Sequence, residues 1–438
     1  MQEKPKEKTT ATKATEAAKK VRPLVKNMYT RALKAKAEGR PVAYCMVTCQ
    51  YEEVLHAMGV TPVWTENYAG LCAAKRAAEP YILKAESDGF SNVLCGYART
   101  GIGFDAIRQE LGDIPEGAPD GGMAKPDMLL GCSSVCDPRY KWYQALGRYL
   151  DTPCYCFDVV VPPIDIDPDE AQDYYVKYQT EQFRGLVSFL EKVTGKKLDR
   201  DRLGEVIKVS DETAKVWYEA YELRKAVPAP MPSQDHFSAF VPAYFMLGEQ
   251  VALDFYRDLY QEIKHRAENG IGTIPDEKYR LLWAGGLPPW HTLGIFNYFE
   301  TFGAVFCMEV SYRPWDPVEM PSNIKDPLEY IALRGYKRAT YRHKKARQAS
   351  GDPRVELILE YVDGYKIDGM LMHQAKSCRA TTLGQIHFKN MVQEHIKVPT
   401  MFMESDIVDV RDYSEAQTKM QVDAFMEAVA SYKEGRGR

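Results

Sequence analysis

The chain has 438 residues, 45% hydrophobic and 27% charged, with a formal net charge of −4. That length supports two or three domains with separate cores, and the near-balanced charge gives no global reason to bind nucleic acid. No run approaches the roughly 18 apolar residues that span a bilayer, so no membrane role is expected and the expected partners are small molecules and other proteins.

Residues 1–8 are polar and lack the apolar core of a secretory signal, which implies a cytoplasmic protein whose ten cysteines are thiols. Residues 1–20, rich in Lys, Thr, Ala and Glu, are expected to form a flexible N-terminal arm. From Val42 the pattern alternates. Strands are predicted over 42–47, 62–65, 91–94, 127–130 and 154–159, with helices over 51–58, 71–87, 103–111 and 139–150 between them. Such alternation indicates a parallel sheet with helices on both faces.

The run Pro162-Pro163-Ile164-Asp165-Ile166-Asp167-Pro168 breaks this pattern, and helical periodicity takes over across 169–193, 202–224 and 237–267. Strands return at 279–284, 304–308, 368–372 and 400–403, separated by helices, and a last helix is predicted over 414–432. The expected class is therefore α/β, two Rossmann- or flavodoxin-like parallel-sheet domains joined by a helical segment. The expected boundaries are an arm over 1–20, a first α/β domain over 21–165, a helical domain over 166–275 and a second α/β domain over 276–438.

Three cysteines stand apart from the other seven. Cys95, Cys136 and Cys378 each come after a predicted strand, among Gly, Ser and Asp, where a backbone can close around an inorganic cluster. Carboxyl ends of parallel strands point at a shared crevice, so the three can meet there although distant in sequence. Three thiolates in a crevice make an iron–sulfur site with one coordination position left over. Cys307, Cys154 and Cys156 lie in apolar strands and Cys72 on a helix, where cysteine behaves as a small hydrophobe. The close Cys-x-x-Cys runs of ferredoxins and zinc ribbons are absent. So is a phosphate loop, and Gly101-Ile102-Gly103 lacks the remaining glycine of a dinucleotide fingerprint.

Residues 49–59, Leu94-Cys95-Gly96-Tyr97, Ser134-Val135-Cys136-Asp137, Ser377-Cys378-Arg379 and Glu404-Ser405-Asp406 with residues 411–417 form an ordered set. In that set the chain resembles the two-component 2-hydroxyacyl-CoA dehydratases and the related ATP-dependent benzoyl-CoA reductases. The resemblance runs from about Val42 to Tyr432. It implies that Cys95, Cys136 and Cys378 bind a [4Fe-4S] cluster, with a double-cubane [8Fe-9S] form left open. It also places Thr48 and Glu66 at the active site, Glu66 either relaying protons or capping a turn.

The segments around Gln50 and Trp64 look closest to the benzoyl-CoA reductase branch. The expected function is thus a cluster-binding catalytic subunit, an oxidoreductase that passes low-potential electrons to an aromatic acyl-CoA to give a cyclohexadiene carboxyl-CoA. The alternatives are a subunit of a 2-hydroxyacyl-CoA dehydratase, a lyase, and a non-catalytic scaffolding subunit. The implied partners are a homologous cluster-binding subunit, ATP-hydrolysing iron–sulfur activator subunits and the acyl-CoA substrate. His56, His291, His373 and His387 are further proton-donor candidates, although a lone histidine near a turn is more often structural. Arg342, His343, Lys344, Lys345 and Arg347 either touch coenzyme A phosphates or form a solvated helix face.

Overall fold

The computed structural model describes residues 13–436, and two parallel four-stranded sheets form its frame. β1 (Val42–Cys45), β2 (Thr61–Trp64), β3 (Met128–Cys132) and β4 (Cys154–Phe157) build the first, in the order β2-β1-β3-β4. β5 (Tyr279–Gly285), β6 (Ala304–Glu309), β7 (Gly369–Ala375) and β8 (Thr400–Ser405) build the second, in the order β6-β5-β7-β8. The two sheets are wound alike, and the α/β class is as expected. β1, β2, β3 and β6 are buried at every position, because helices cover both faces of a parallel sheet and leave no polar side to alternate with. In such winding the chain reverses direction between β1 and β3, and between β5 and β7, which opens a crevice at their carboxyl ends.

One expected strand is absent. Residues 91–94 form a turn in which the Leu94 amide donates to the Ser91 carbonyl at 3.1 Å. Val93 is 74% exposed, so the run has no apolar face to bury against a sheet. Cys95 instead begins the helix Gly96–Leu111. That helix lies close against its neighbour: a Cβ on Gly103 would stand 1.7 Å from the Tyr81 carbonyl oxygen. The Gly-x-Gly pair is thus a packing device.

Between the sheets run the helices Pro168–Thr194, Arg200–Glu222, Ser233–Ala239, Val241–Phe245 and Gln250–Glu268. The helical stretch expected over 237–267 is divided among three helices, and Pro242 lacks the amide donor that would continue the first. Residues 1–12 of the expected arm lie outside the described residues. Beyond them, the Thr15 amide and hydroxyl donate to Asp235 at 2.6 and 3.0 Å, and the Glu16 and Ala17 amides to Glu262 at 2.8 and 2.9 Å. These bonds fix the helices Glu16–Lys19 and Val21–Ala37 beside the helical segment.

Two histidines are fully buried and neutral. His236 Nε2 donates to the Ser311 carbonyl while Nδ1 accepts from the Tyr221 hydroxyl. His373 Nδ1 donates to the Leu287 carbonyl and Nε2 accepts from Ser405 Oγ. Burial pushes both rings down to about 4. In the unfolded chain each titrates near 6.5, so below that pH the unfolded state binds protons that the native state refuses. Stability present above about 6.5 is therefore lost as pH falls toward 4. Urea unfolding at pH 7.5 and pH 5 should show a loss on the order of 2 kcal/mol per histidine, and equal midpoints would contradict it.

Candidate active site

The three singled-out cysteines each stand at the start of a helix. Cys95 precedes Gly96–Leu111, Cys136 precedes Asp137–Tyr149, and Cys378 precedes the single turn Arg379–Thr382 after β7. The first two helices therefore aim free amides and positive dipole ends at whatever the thiols hold. Neighbouring residues tie the three turns together. The Gly96 amide donates to Ser377 Oγ at 2.9 Å, and Arg379 Nη2 meets Asp137 Oδ2 at 3.0 Å. Asp406 receives the Ser377 amide at 3.1 Å and the Ser377 hydroxyl. A Cβ on Gly96 would stand 2.7 Å from Asp406 Oδ1, so only glycine fits between the two sheets' loops.

The thiols feel one another. Burial pushes Cys95 up and the charges of Cys378 and Cys136 add to it. Burial also pushes Cys136 up to about 11, with Glu66 and Cys378 contributing, and raises Cys378. Among the described residues no group of three His, Cys, Asp or Glu closes around a single metal ion. Three free thiols are the kind of donor set that iron–sulfur clusters take. All three are half-buried free thiols.

Beside them lies a buried ion pair. Glu66 Oε2 is 3.1 Å from Arg139 Nη2 and accepts the Val47 amide at 3.0 Å. Arg139, 2% exposed, also reaches Thr48 Oγ1 at 3.4 Å, the Ser134 carbonyl at 3.1 Å, Cys49 Sγ at 3.5 Å and the Val47 carbonyl. Burial alone would lower this guanidinium, but the Glu66 carboxylate and the nearby thiols hold it well above its usual range. The two expected residues Thr48 and Glu66 are thus linked through one side chain that sequence reasoning missed. Its only signal was a position three residues after Cys136.

The backbone here is strained. Thr48 has φ +63° and Val135 φ +72°, a left-handed conformation that costs β-branched residues on the order of 1–3 kcal/mol each. Arg139 bonds both the Thr48 side chain and Ser134, next to Val135, which holds these turns in place.

Next to Glu66 opens a cleft of about 660 Å³, lined by Tyr97, Phe240, Phe245, Trp290 and Tyr312, with Lys19, Arg22 and Lys75 also on its walls. Phe240 and Tyr312 stack at 4.1 Å and 11°. Trp290 Nε1 donates to the Tyr97 hydroxyl, two residues from Cys95. Burial raises Tyr97, and Tyr312 and Glu66 raise it further, so its hydroxyl keeps its proton at neutral pH.

The other candidates are structural. His291 Nε2 donates to the Asp406 carbonyl at 2.9 Å, His56 pairs with Glu249 at 3.2 Å, and His373 is bound as described. In the basic run, Arg342 pairs with Asp316 and Glu360, Lys344 with Asp169, Lys345 with Glu356 and Glu360, and Arg347 with Asp167. Those charges are already matched, as on a solvated face.

A family model described as 2-hydroxyglutaryl-CoA dehydratase, D-component, matches residues 48–429. The chain belongs to this family. It is 28% identical to the (R)-phenyllactyl-CoA dehydratase alpha subunit of Clostridium sporogenes, over 92% of this chain and 93% of that one. It is 27% identical to the (R)-2-hydroxyisocaproyl-CoA dehydratase alpha subunit of Clostridioides difficile, over 95% and 97%. A benzoyl-CoA reductase subunit of Thauera aromatica is also 27% identical, over 95% of each chain. The family thus spans acyl-CoA dehydratase and benzoyl-CoA reductase subunits, and the match covers β2 to β8 and all three cysteine turns. No helix among the described residues is long and apolar enough to cross a membrane.

Proposed function

We propose that this chain is the cluster-holding, substrate-binding subunit of an enzyme that reduces an aromatic acyl-CoA, of the benzoyl-CoA reductase type. The observation that carries this reading is an aromatic cleft, walled by Tyr97, Phe240, Trp290 and Tyr312, beside the turns of three converging cysteines. Cys95, Cys136 and Cys378 would hold a [4Fe-4S] cluster, which supplies single electrons at low potential when bound.

The chain's own residues do the rest. The stacked rings accept a flat acyl group and exclude water. Arg22 on the cleft wall offers positive charge to coenzyme A phosphates, whereas Lys19 is paired with Glu16 and Lys75 with Asp120. The Tyr97 hydroxyl is a proton donor at the cleft wall, and Glu66, its carboxylate held by Arg139, is a proton-accepting relay beside it. Val93, Val135 and Leu383 are exposed apolar residues close in sequence to Cys95, Cys136 and Cys378, and a companion subunit would cover them.

A second reading, a dehydratase acting on a 2-hydroxyacyl-CoA, is favoured by the dehydratase relatives and fits the same cleft. The complete complex, assayed anaerobically with ATP and a strong reductant, should convert benzoyl-CoA to a ring-reduced thioester. Dehydration of phenyllactyl-CoA with no ring reduction would replace the first reading with the second.

A further inference from the structure

A second cavity, with Thr48 on its wall, lies between the helix Pro327–Ala339 and the segment Arg313–Asp316. It holds about 220 Å³ and is lined by Gln50, Glu52, Trp315, Arg334 and Arg338 among others. Trp315, Asp316, Arg334 and Arg338 also line a wider cleft of about 530 Å³, so the same side chains face both spaces.

Four arginines gather here, and three are matched. Arg313 and Arg342 each approach Asp316 Oδ2 at 2.7 Å. Arg334 reaches Glu53 at 2.6 Å and Asp211 at 2.8 Å. Arg338 is the exception. It forms no hydrogen bond or ion pair with another described residue, and its Nε is buried without a partner. Its guanidinium lies over the Trp315 ring, 5.1 Å from the centroid.

A buried donor left unpaired is costly, more so when it is charged. Here burial, then repulsion from Arg334, pull Arg338 down to about 10. Beside it, burial pushes Glu52 up to about 8, which makes that side chain a neutral hydrogen-bond donor at pH 7. A planar guanidinium backed by an indole, with a protonated carboxyl on the same cavity, matches a planar or tetrahedral oxyanion.

We propose that this cavity is a binding site for a small carboxylate or phosphate anion, held by Arg338 against Trp315. The site differs from the aromatic cleft and needs neither a cluster nor turnover. The anion is either free in solution or the charged end of a bound thioester, and the two sources share one chemistry.

Calorimetric titration in chloride-free buffer, with inorganic phosphate and with glutarate, tests it. Saturable binding of at least one is expected, weakened at least about tenfold in Arg338→Gln and also weakened in Trp315→Phe. Should Arg338→Gln fail to fold, Trp315→Phe provides the comparison, because its volume and apolar character are largely kept. Absence of saturable heat for both anions, or unchanged binding in the variants, overturns the proposal.

Competition then assigns the source. Displacement of the probe by glutaryl-CoA but not butyryl-CoA places a distal acyl carboxylate in the site. Displacement by both places coenzyme phosphates there, and displacement by neither marks a free anion. Each of these three outcomes supports the site. Because heat is the readout, failure here leaves the aromatic-cleft reading untouched.

Discussion

Replacing Glu66 with Gln should lower turnover of the complex by about 10²- to 10⁴-fold, the usual weight of a positioned acid or base. Gln keeps the size of the side chain and can still accept the Val47 amide, now at 3.0 Å, so the turn stays anchored. What it loses is the proton-accepting carboxylate, and with it the charge facing Arg139 at 3.1 Å. The expected variant therefore retains its iron and its affinity for the thioester while turnover collapses. A Glu66→Gln enzyme with native turnover would reduce Glu66 to a turn-capping residue.

Arg139→Met should be worse in a different way. It leaves the Glu66 carboxylate, 11% exposed, without its partner, and breaking one side of a buried pair costs about 3–5 kcal/mol. The same change frees Thr48 and Ser134, which Arg139 bonds directly. Two β-branched residues at positive φ would then lose the contacts that hold them. Urea unfolding should show the full loss, and limited proteolysis should cut the loop after β1. Arg139→Met with native stability and an uncut loop would mean that the hub is not structural.

The frame was readable because parallel strands covered on both faces leave near-continuous apolar runs. The runs before Met46 and around Leu129, Phe306 and Met370 announce β1, β3, β6 and β7 without ambiguity. Residues 91–94 misled because a four-residue run with one exposed valine carries too little pattern to tell strand from turn. The three cysteine turns stood out in the sequence by the small and polar residues around them, and each cysteine precedes a helical segment. Cys95 reaches the crevice immediately before the first turn of a helix, a route that strand periodicity does not encode.

Convergence across the chain is where the sequence ran out. Thr48 and Glu66 were visible through family resemblance, but nothing local says that one arginine joins them. Nor does any spacing reveal that Phe240, Trp290 and Tyr312, from three separate segments, stack into one wall. Arg338 is similar: a lysine or arginine every few residues reads as a solvated helix, and only tertiary structure shows one guanidinium left unmatched.

Iron and sulfide analysis of anaerobically purified protein tests whether thiols from both sheets grip one iron–sulfur cluster. Native protein should carry iron and sulfide in a fixed ratio, while Cys95→Ala, Cys136→Ala and Cys378→Ala should each lose them and Cys307→Ala, in β6, should keep them. Colourless, iron-free native protein, or full iron in the three variants, would contradict the account.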